Sequence, residues 1–381
     1  MSTARTAPAI ASPAPPLSVV VRRTADGPPL AREPLTDADL NDYLSEAWMH
    51  SCLRRGFPDV PLSAVDAQFD LLFKSGRGGP LKGFLITTQN PAGKRFELEF
   101  SLAAVEHVAA RAARNLVTAR VLQPTDEYYY LLEVDEARNP VAGGRDGDAG
   151  VSITTSAAAL VYVVQPLASL LRRAKPVGGP DDSWTPVIYT ADARARAEAF
   201  SRRGGNEQPP VETGAMLVGS LCSCPESGEF YCVVDAALEA RDAKSNKFSL
   251  EYTGVTWTRL QAILKARQSQ PATATSRFLG QAHGHPFLPA GGAPPCEICL
   301  ARPDLPCART SCFASYDDRL WSSAVFARQP FQLCHIFGLN ARNQPVEKLF
   351  GLRNGQLVER GYHVMETWEP SLPSSNFNHP S

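Results

Sequence analysis

Little in this 381-residue chain points to a charged or lipid surface as its partner. Acids and bases nearly cancel, 38 Lys and Arg against 39 Asp and Glu, for a net charge of −1. That leaves no electrostatic handle for nucleic acid or an anionic membrane, and neither is expected as a partner. Long hydrophobic runs are missing as well. The most apolar stretch, AAALVYVVQPLASLL at 157–171, is too short to span a bilayer and holds Gln165 and Pro166. The opening MSTARTAPAIASPAPP lacks the apolar centre of a signal peptide. Without an export signal, the nine cysteines are expected to be reduced and the protein cytoplasmic. A cluster of them then points to metal rather than to disulfides. Lysine is scarce, 8 against 30 arginines, a usage that goes with GC-rich bacterial genomes.

The remaining composition, 44% hydrophobic and 20% charged, is that of an ordinary globular protein long enough for two cores. Residues 1–33, Ala- and Pro-rich at the start, are expected to be a disordered leader, and 369–381 a flexible tail. Between them the pattern changes style once, across the turn-rich RRAKPVGGPDDSWTP (172–186). This predicts an N-terminal α+β domain over 34–175 and a second domain over 184–368. In the first, Thr36 with Asp39 reads as a helix cap, and 67–75, 81–89, 95–102 and 126–134 read as strands. A helix over 103–117 lies among them. In the second, strands are expected at 187–190, in VETGAMLVGSLC and EFYCVVDAAL, in RFLGQAHGH, and at 330–340 and 355–364. Helices fall at ADARARAEAFSRR and TGVTWTRLQAILKARQ.

The chemistry gathers in the second half. In AHGHPF, His283 and His285 are two residues apart on an expected strand, so both face one side. Neutral imidazoles at that spacing suit zinc, which in catalytic sites takes three protein ligands and keeps one position open. Downstream, SYDD places Ser315 and Asp318 three residues apart, on one face of a helix start. Upstream, Glu212 heads the small-sided strand ETGAMLVG, where a carboxylate could exchange a proton with metal-activated water. Taken singly, Ser315 and Asp318 are also a plain capping box, and His-x-His is also a plain strand pair.

Glu, then His-x-His-Pro, then Ser-x-x-Asp resembles the JAMM (MPN-plus) zinc metalloproteases, over roughly residues 185–365. The resemblance implies a JAB/MPN-like mixed β-sheet flanked by helices. It implies one catalytic Zn²⁺ on His283, His285 and Asp318. Glu212 would be the general base and then the general acid, with Ser315 at the oxyanion. The implied activity is cleavage after the C-terminal tail of a ubiquitin-like protein, in deconjugation or precursor maturation. Ubiquitin-like proteins or their conjugates, and enzymes of a bacterial conjugation or antiviral system, would be the partners. Related chemistry on a sulfur-carrier, phage or cell-wall peptide, or a non-catalytic scaffold, are the alternatives. The chain departs from the family pattern in three ways. Gly284 stands between the histidines where Ser or Thr is usual, Gln281 and Ala282 precede them where an aromatic is common, and 29 residues separate His285 from Ser315 where the gap is usually short. That insert, 287–314 by its boundaries, holds Cys296, Cys299, Cys307 and Cys312 as C-x2-C-x7-C-x4-C. Four thiolates there could hold a second, structural Zn²⁺ that helps the insert to fold; free or partly disulfide-linked thiols are the other reading.

Overall fold

A computed structural model of the chain describes residues 17–53, 65–73, 81–123, 126–134, 161–179, 185–289, 307, 309–325, 329–353 and 356–370. The architecture is mixed α/β, in two compact units.

The first unit contains β1 (Leu17–Arg22), β2 (Pro29–Pro34), α1 (Asp37–Leu53), β3 (Asp66–Phe73), β4 (Leu81–Gln89), β5 (Arg95–Ser101), α2 (Glu106–Thr118) and β6 (Tyr129–Val134). They build two three-stranded antiparallel sheets, ordered β2-β1-β6 and β3-β4-β5. The disordered leader expected through residue 33 is corrected here. The run Leu17–Arg22 is the middle strand of its sheet, with Val19, Val20 and Val21 fully buried. Three consecutive β-branched residues outweigh the Ala- and Pro-rich flank, because a central strand can bury both faces. At the start of α1 the expected cap is present. Asp39 Oδ2 accepts from the Thr36 amide at 2.8 Å and from its hydroxyl at 2.7 Å, and Thr36 Oγ1 accepts from the Asp39 amide at 3.2 Å. His107 reaches the other Asp39 oxygen at 3.4 Å, a structural contact.

The second unit opens with β7 (Val163–Val164), α3 (Leu167–Leu171) and β8 (Lys175–Val177). The expected boundaries therefore move. These residues are not the end of the first domain, nor is 175–177 linker. β7 pairs with β10 (Gly214–Ser223) and β8 with β18 (Tyr362–Met365). Between them come β9 (Val187–Thr190), α4 (Ala191–Arg202), β11 (Phe230–Glu239), a ribbon of β12 (Lys244–Asn246) and β13 (Ser249–Glu251), and α5 (Gly254–Gln268). β14 (Arg277–Gly284), α6 (Tyr316–Val325), β15 (Leu333–Leu339), β16 (Pro345–Arg353) and β17 (Gln356–Arg360) complete the unit. A ten-stranded mixed sheet runs β17-β16-β15-β14-β10-β11-β9-β18-β8, with β7 off this path on β10. Helices cover both faces. α4 crosses one face against β11, β14 and β10. On the other, Trp257 of α5 and Trp321 of α6 stack around buried Met216, with Tyr252 beside them. Among the described residues, no helix is long and apolar enough to cross a membrane.

Candidate metal centre

β14 runs in the middle of the sheet, antiparallel to β10 and parallel to β15. His283 sits opposite Gly214 on one side and Ile336 on the other. Just past the strand, the His285 amide still donates to Phe337 O at 2.8 Å, so the extended conformation continues through it. Period two then puts both imidazoles on one face. Their Nε2 atoms are 3.2 Å apart, and the rings are 2% and 3% exposed.

Two glycines make room for this arrangement. A Cβ at Gly214 would meet Ala282 O at 2.2 Å and His283 Cβ at 3.0 Å. A Cβ at Gly284, between the histidines, would meet Ser201 O at 2.0 Å. Gly284 faces away from the imidazoles, directly under the last turn of α4. This accounts for glycine where the resembling family carries Ser or Thr.

Asp318 reaches the pair from α6. Its Oδ1 lies 3.1 Å from His283 Nε2, and its Oδ2 4.0 Å from His285 Nε2. The helix cap aims it: Oδ2 accepts from the Ser315 amide at 2.8 Å and from Ser315 Oγ at 2.7 Å, while Ser315 Oγ accepts from the Asp318 amide at 3.1 Å. Capping and aiming are thus one structure, and the Ser315 hydroxyl proton is committed to Asp318. Glu212 lies two residues ahead of β10, its amide donating to Asn246 O in the ribbon at 2.8 Å. Its buried Oε1 is 3.7 Å from His285 Nε2.

Burial and mutual charge set the protons. Burial pushes Glu212 up to about 7, and the Asp318 and Asp317 charges add to this against the opposing His283. Burial alone would lower His283, but the Asp318 carboxylate raises it well above the usual histidine range. Burial, then the neighbouring His283, bring His285 down to about 4. Burial would raise Asp318; its contacts with His283 and Ser315 outweigh that and hold it well below the usual carboxylate range. The His285 tautomer follows from a third contact. Nδ1 donates to Ser311 O at 2.6 Å, which leaves the Nε2 lone pair facing the cluster.

The buried donors could hold a metal ion. Ligands about 2.0–2.1 Å from one tetrahedral ion stand roughly 3.3 Å apart; the His283–His285 and His283–Asp318 separations are 3.2 and 3.1 Å, and the His285–Asp318 separation is 4.0 Å. Two imidazoles and a carboxylate are also a usual zinc shell. Glu212, His283 and His285 form one metal-compatible group, and His283, Asp318 and Cys334 form another.

The structure brings Glu212, His283, His285, Ser315 and Asp318 together. The cysteine set is described only in part. Cys296 and Cys299 lie outside the described residues. Cys307 donates to Arg309 O at 3.6 Å, while Cys312 packs with Cys334, Ile336 and Phe350 and points at Val346 O, 3.5 Å away. Three neighbours of the histidines were not foreseen. Ser311 holds His285. Phe287 stacks on the His285 ring, centroids 5.2 Å apart, and Phe313 flanks it at 5.2 Å. Phe313 and the ribbon residue Phe248, which touches Phe287, are exposed. Only Phe287 had a sequence signal, its place two residues after His285. A cleft of about 440 Å³ borders His285, lined by Gly284, Pro286, Phe337, Ser201 and Asn206 among others.

Compared with known proteins, the chain matches no family model and no curated protein.

Proposed function

We propose that the chain is a zinc-dependent peptidase of the JAMM type, its second unit the JAB/MPN-like catalytic domain, and that it cleaves after the C-terminal tail of a ubiquitin-like protein. One observation carries the reading. His283 Nε2 lies 3.2 Å from His285 Nε2 and 3.1 Å from Asp318 Oδ1, Asp318 Oδ2 lies 4.0 Å from His285 Nε2, and a second buried carboxylate, Glu212, stands beside them. His283, His285 and Asp318 would hold the ion. A bound zinc supplies Lewis acidity, which polarises a carbonyl and lowers the pKa of water.

The chain's own groups do the proton work. With its pKa near 7, Glu212 can accept a proton at its carboxylate at neutral pH and return it to a leaving nitrogen. Ser315 orients Asp318, and service at an oxyanion requires its hydroxyl to leave Oδ2. Among the described residues the β12–β13 ribbon is a separate two-stranded sheet, tied to Glu212 through Asn246. Such a ribbon offers strand edges beside the site for an extended tail. The 440 Å³ cleft has the size of a pre-formed peptide or ligand pocket. The first unit would recognise the substrate's folded body or a conjugation enzyme.

The test is metal content per chain by mass spectrometry, for wild type, His283→Ala and Cys296→Ala, with turnover of a ubiquitin-like fusion by wild type and Glu212→Gln. The reading expects one zinc lost with His283→Ala, and turnover abolished in Glu212→Gln with that zinc retained. A further zinc lost with Cys296→Ala would establish the structural site. Zinc bound without any Glu212-dependent turnover would move the scaffold alternative to the front.

A further inference from the structure

Each imidazole of the centre has a second nitrogen, and the two are served differently. For His285 it is Nδ1, which donates to Ser311 O. For His283, Nε2 faces His285 and Asp318, so Nδ1 is the remaining one. It is buried and makes no hydrogen bond to any described residue. An orphaned ring N–H in a site this dry is costly, and a metal-bound histidine nearly always anchors its second nitrogen.

The group at hand is a thiol. Cys334 lies on β15, next to β14, opposite Gln281 and diagonal to His283 on the same face. It is fully buried, and the alternation of β15 turns its side chain to the face of the sheet that carries the His283 ring. Its sulfur, a His283 nitrogen and an Asp318 oxygen all lie within 4.8 Å of one another. Gln281 Nε2 also donates to this sulfur, at 3.9 Å, which fixes where the thiol sits.

We propose that Cys334 is a positioning residue of the metal centre: its sulfur accepts the Nδ1 proton of His283 and so selects the tautomer whose Nε2 lone pair faces His285 and Asp318. The inference rests on the zinc reading of the site. It makes the two imidazoles unequal, one anchored by a carbonyl oxygen and the other by a soft, weakly accepting sulfur.

The test is zinc affinity by chelator competition on the full chain, for wild type, Cys334→Ala and Cys334→Ser. Removing such a partner typically costs about 10- to 100-fold in affinity. That loss is expected for the alanine variant, with most of it recovered by serine, whose oxygen can also accept. Equal affinity for wild type and a folded alanine variant overturns the proposal. Two spectroscopic readouts stand beside the affinities. Long-range proton–nitrogen NMR of the zinc-loaded protein should show His283 protonated at Nδ1 and metallated at Nε2; the opposite assignment overturns it. Thiolate-to-metal charge-transfer intensity in the cobalt-substituted protein should be equal in wild type and Cys334→Ser; intensity lost in the serine variant would make Cys334 itself a ligand and the positioning role wrong. Failure of wild type to bind any metal would instead remove the zinc reading, and this inference with it.

Discussion

Replacing Gly284 with serine, the residue type usual at this place in the resembling family, should damage this protein. The serine Cβ would stand 2.0 Å from Ser201 O and 2.9 Å from Ser201 C, where ordinary contact begins near about 3.5 Å. More than an ångström of relief is needed, and neither side can give it cheaply. β14 is held by Gly284 N to Thr213 O at 3.0 Å and His285 N to Phe337 O at 2.8 Å. The end of α4 is held by Arg202, whose guanidinium donates to Gly338 O and Val346 O at 3.1 Å each and to Glu198 at 2.9 Å. Overpacking in a tight interior costs about 1–3 kcal/mol, and a backbone carbonyl pinned on both sides belongs at the upper end. We expect about 3 kcal/mol, which in a unit of roughly 200 residues lowers the melting temperature by about 6–12 °C. Zinc affinity should fall with it, since His283 and His285 flank the displaced residue. Thermal unfolding followed by tryptophan fluorescence reads the change, because Trp257 and Trp321 are half-buried against the core of the same unit. The clash belongs to the Cβ, so alanine should cost as much as serine. A serine variant melting within about 1 °C of wild type would refute the steric account.

Two further outcomes follow from contacts around the sheet. Burial would raise Glu347, but its bonds to His335 and Arg194 bring it down to about 2 from an ordinary 4.5. A depressed folded pKa contributes stability that is present above about 4.5 and is lost as pH falls through about 2. Glu347→Gln should therefore cost about 1–3 kcal/mol at neutral pH, and urea titrations below pH 4.5 should show that gap closing; a gap independent of pH would contradict the assignment. Ser311→Ala should cost about 1–3 kcal/mol, because Leu339 N loses its acceptor at 2.9 Å in a partly buried setting. Hydrogen exchange at Leu339 should then rise, and unchanged protection would show the bond to be dispensable.

The pattern of the sequence reached the residues whose geometry is local. His283 and His285 share a face because strand side chains alternate, and Ser315 and Asp318 share a helix start because a cap demands it. Glu212 was found by its place ahead of a small-sided strand. What escaped depends on which strands become neighbours. Cys334 meets His283 only because β15 lies parallel beside β14, 51 positions further along the chain. Ser311 meets His285 only through the return of the insert, and no periodicity encodes a carbonyl's direction. β16 was missed because PVEKLFGLR carries charges where a strand pattern is sought, although Phe350, Gly351 and Leu352 are buried. The run 355–364, read as one strand, breaks at Gly361 into β17, beside β16, and β18, beside β9.

The long spacing between His285 and Ser315 acquires a meaning from β15. The chain leaves the centre along that strand, with His285 N on Phe337 O. It returns to the same strand two residues on, with Ser311 N on Leu339 O at 2.8 Å and Thr310 bridging Asn340. Departure and arrival are thus moored to one strand, so the placement of His285 relative to Ser311 answers to that strand rather than to the length of chain between the moorings.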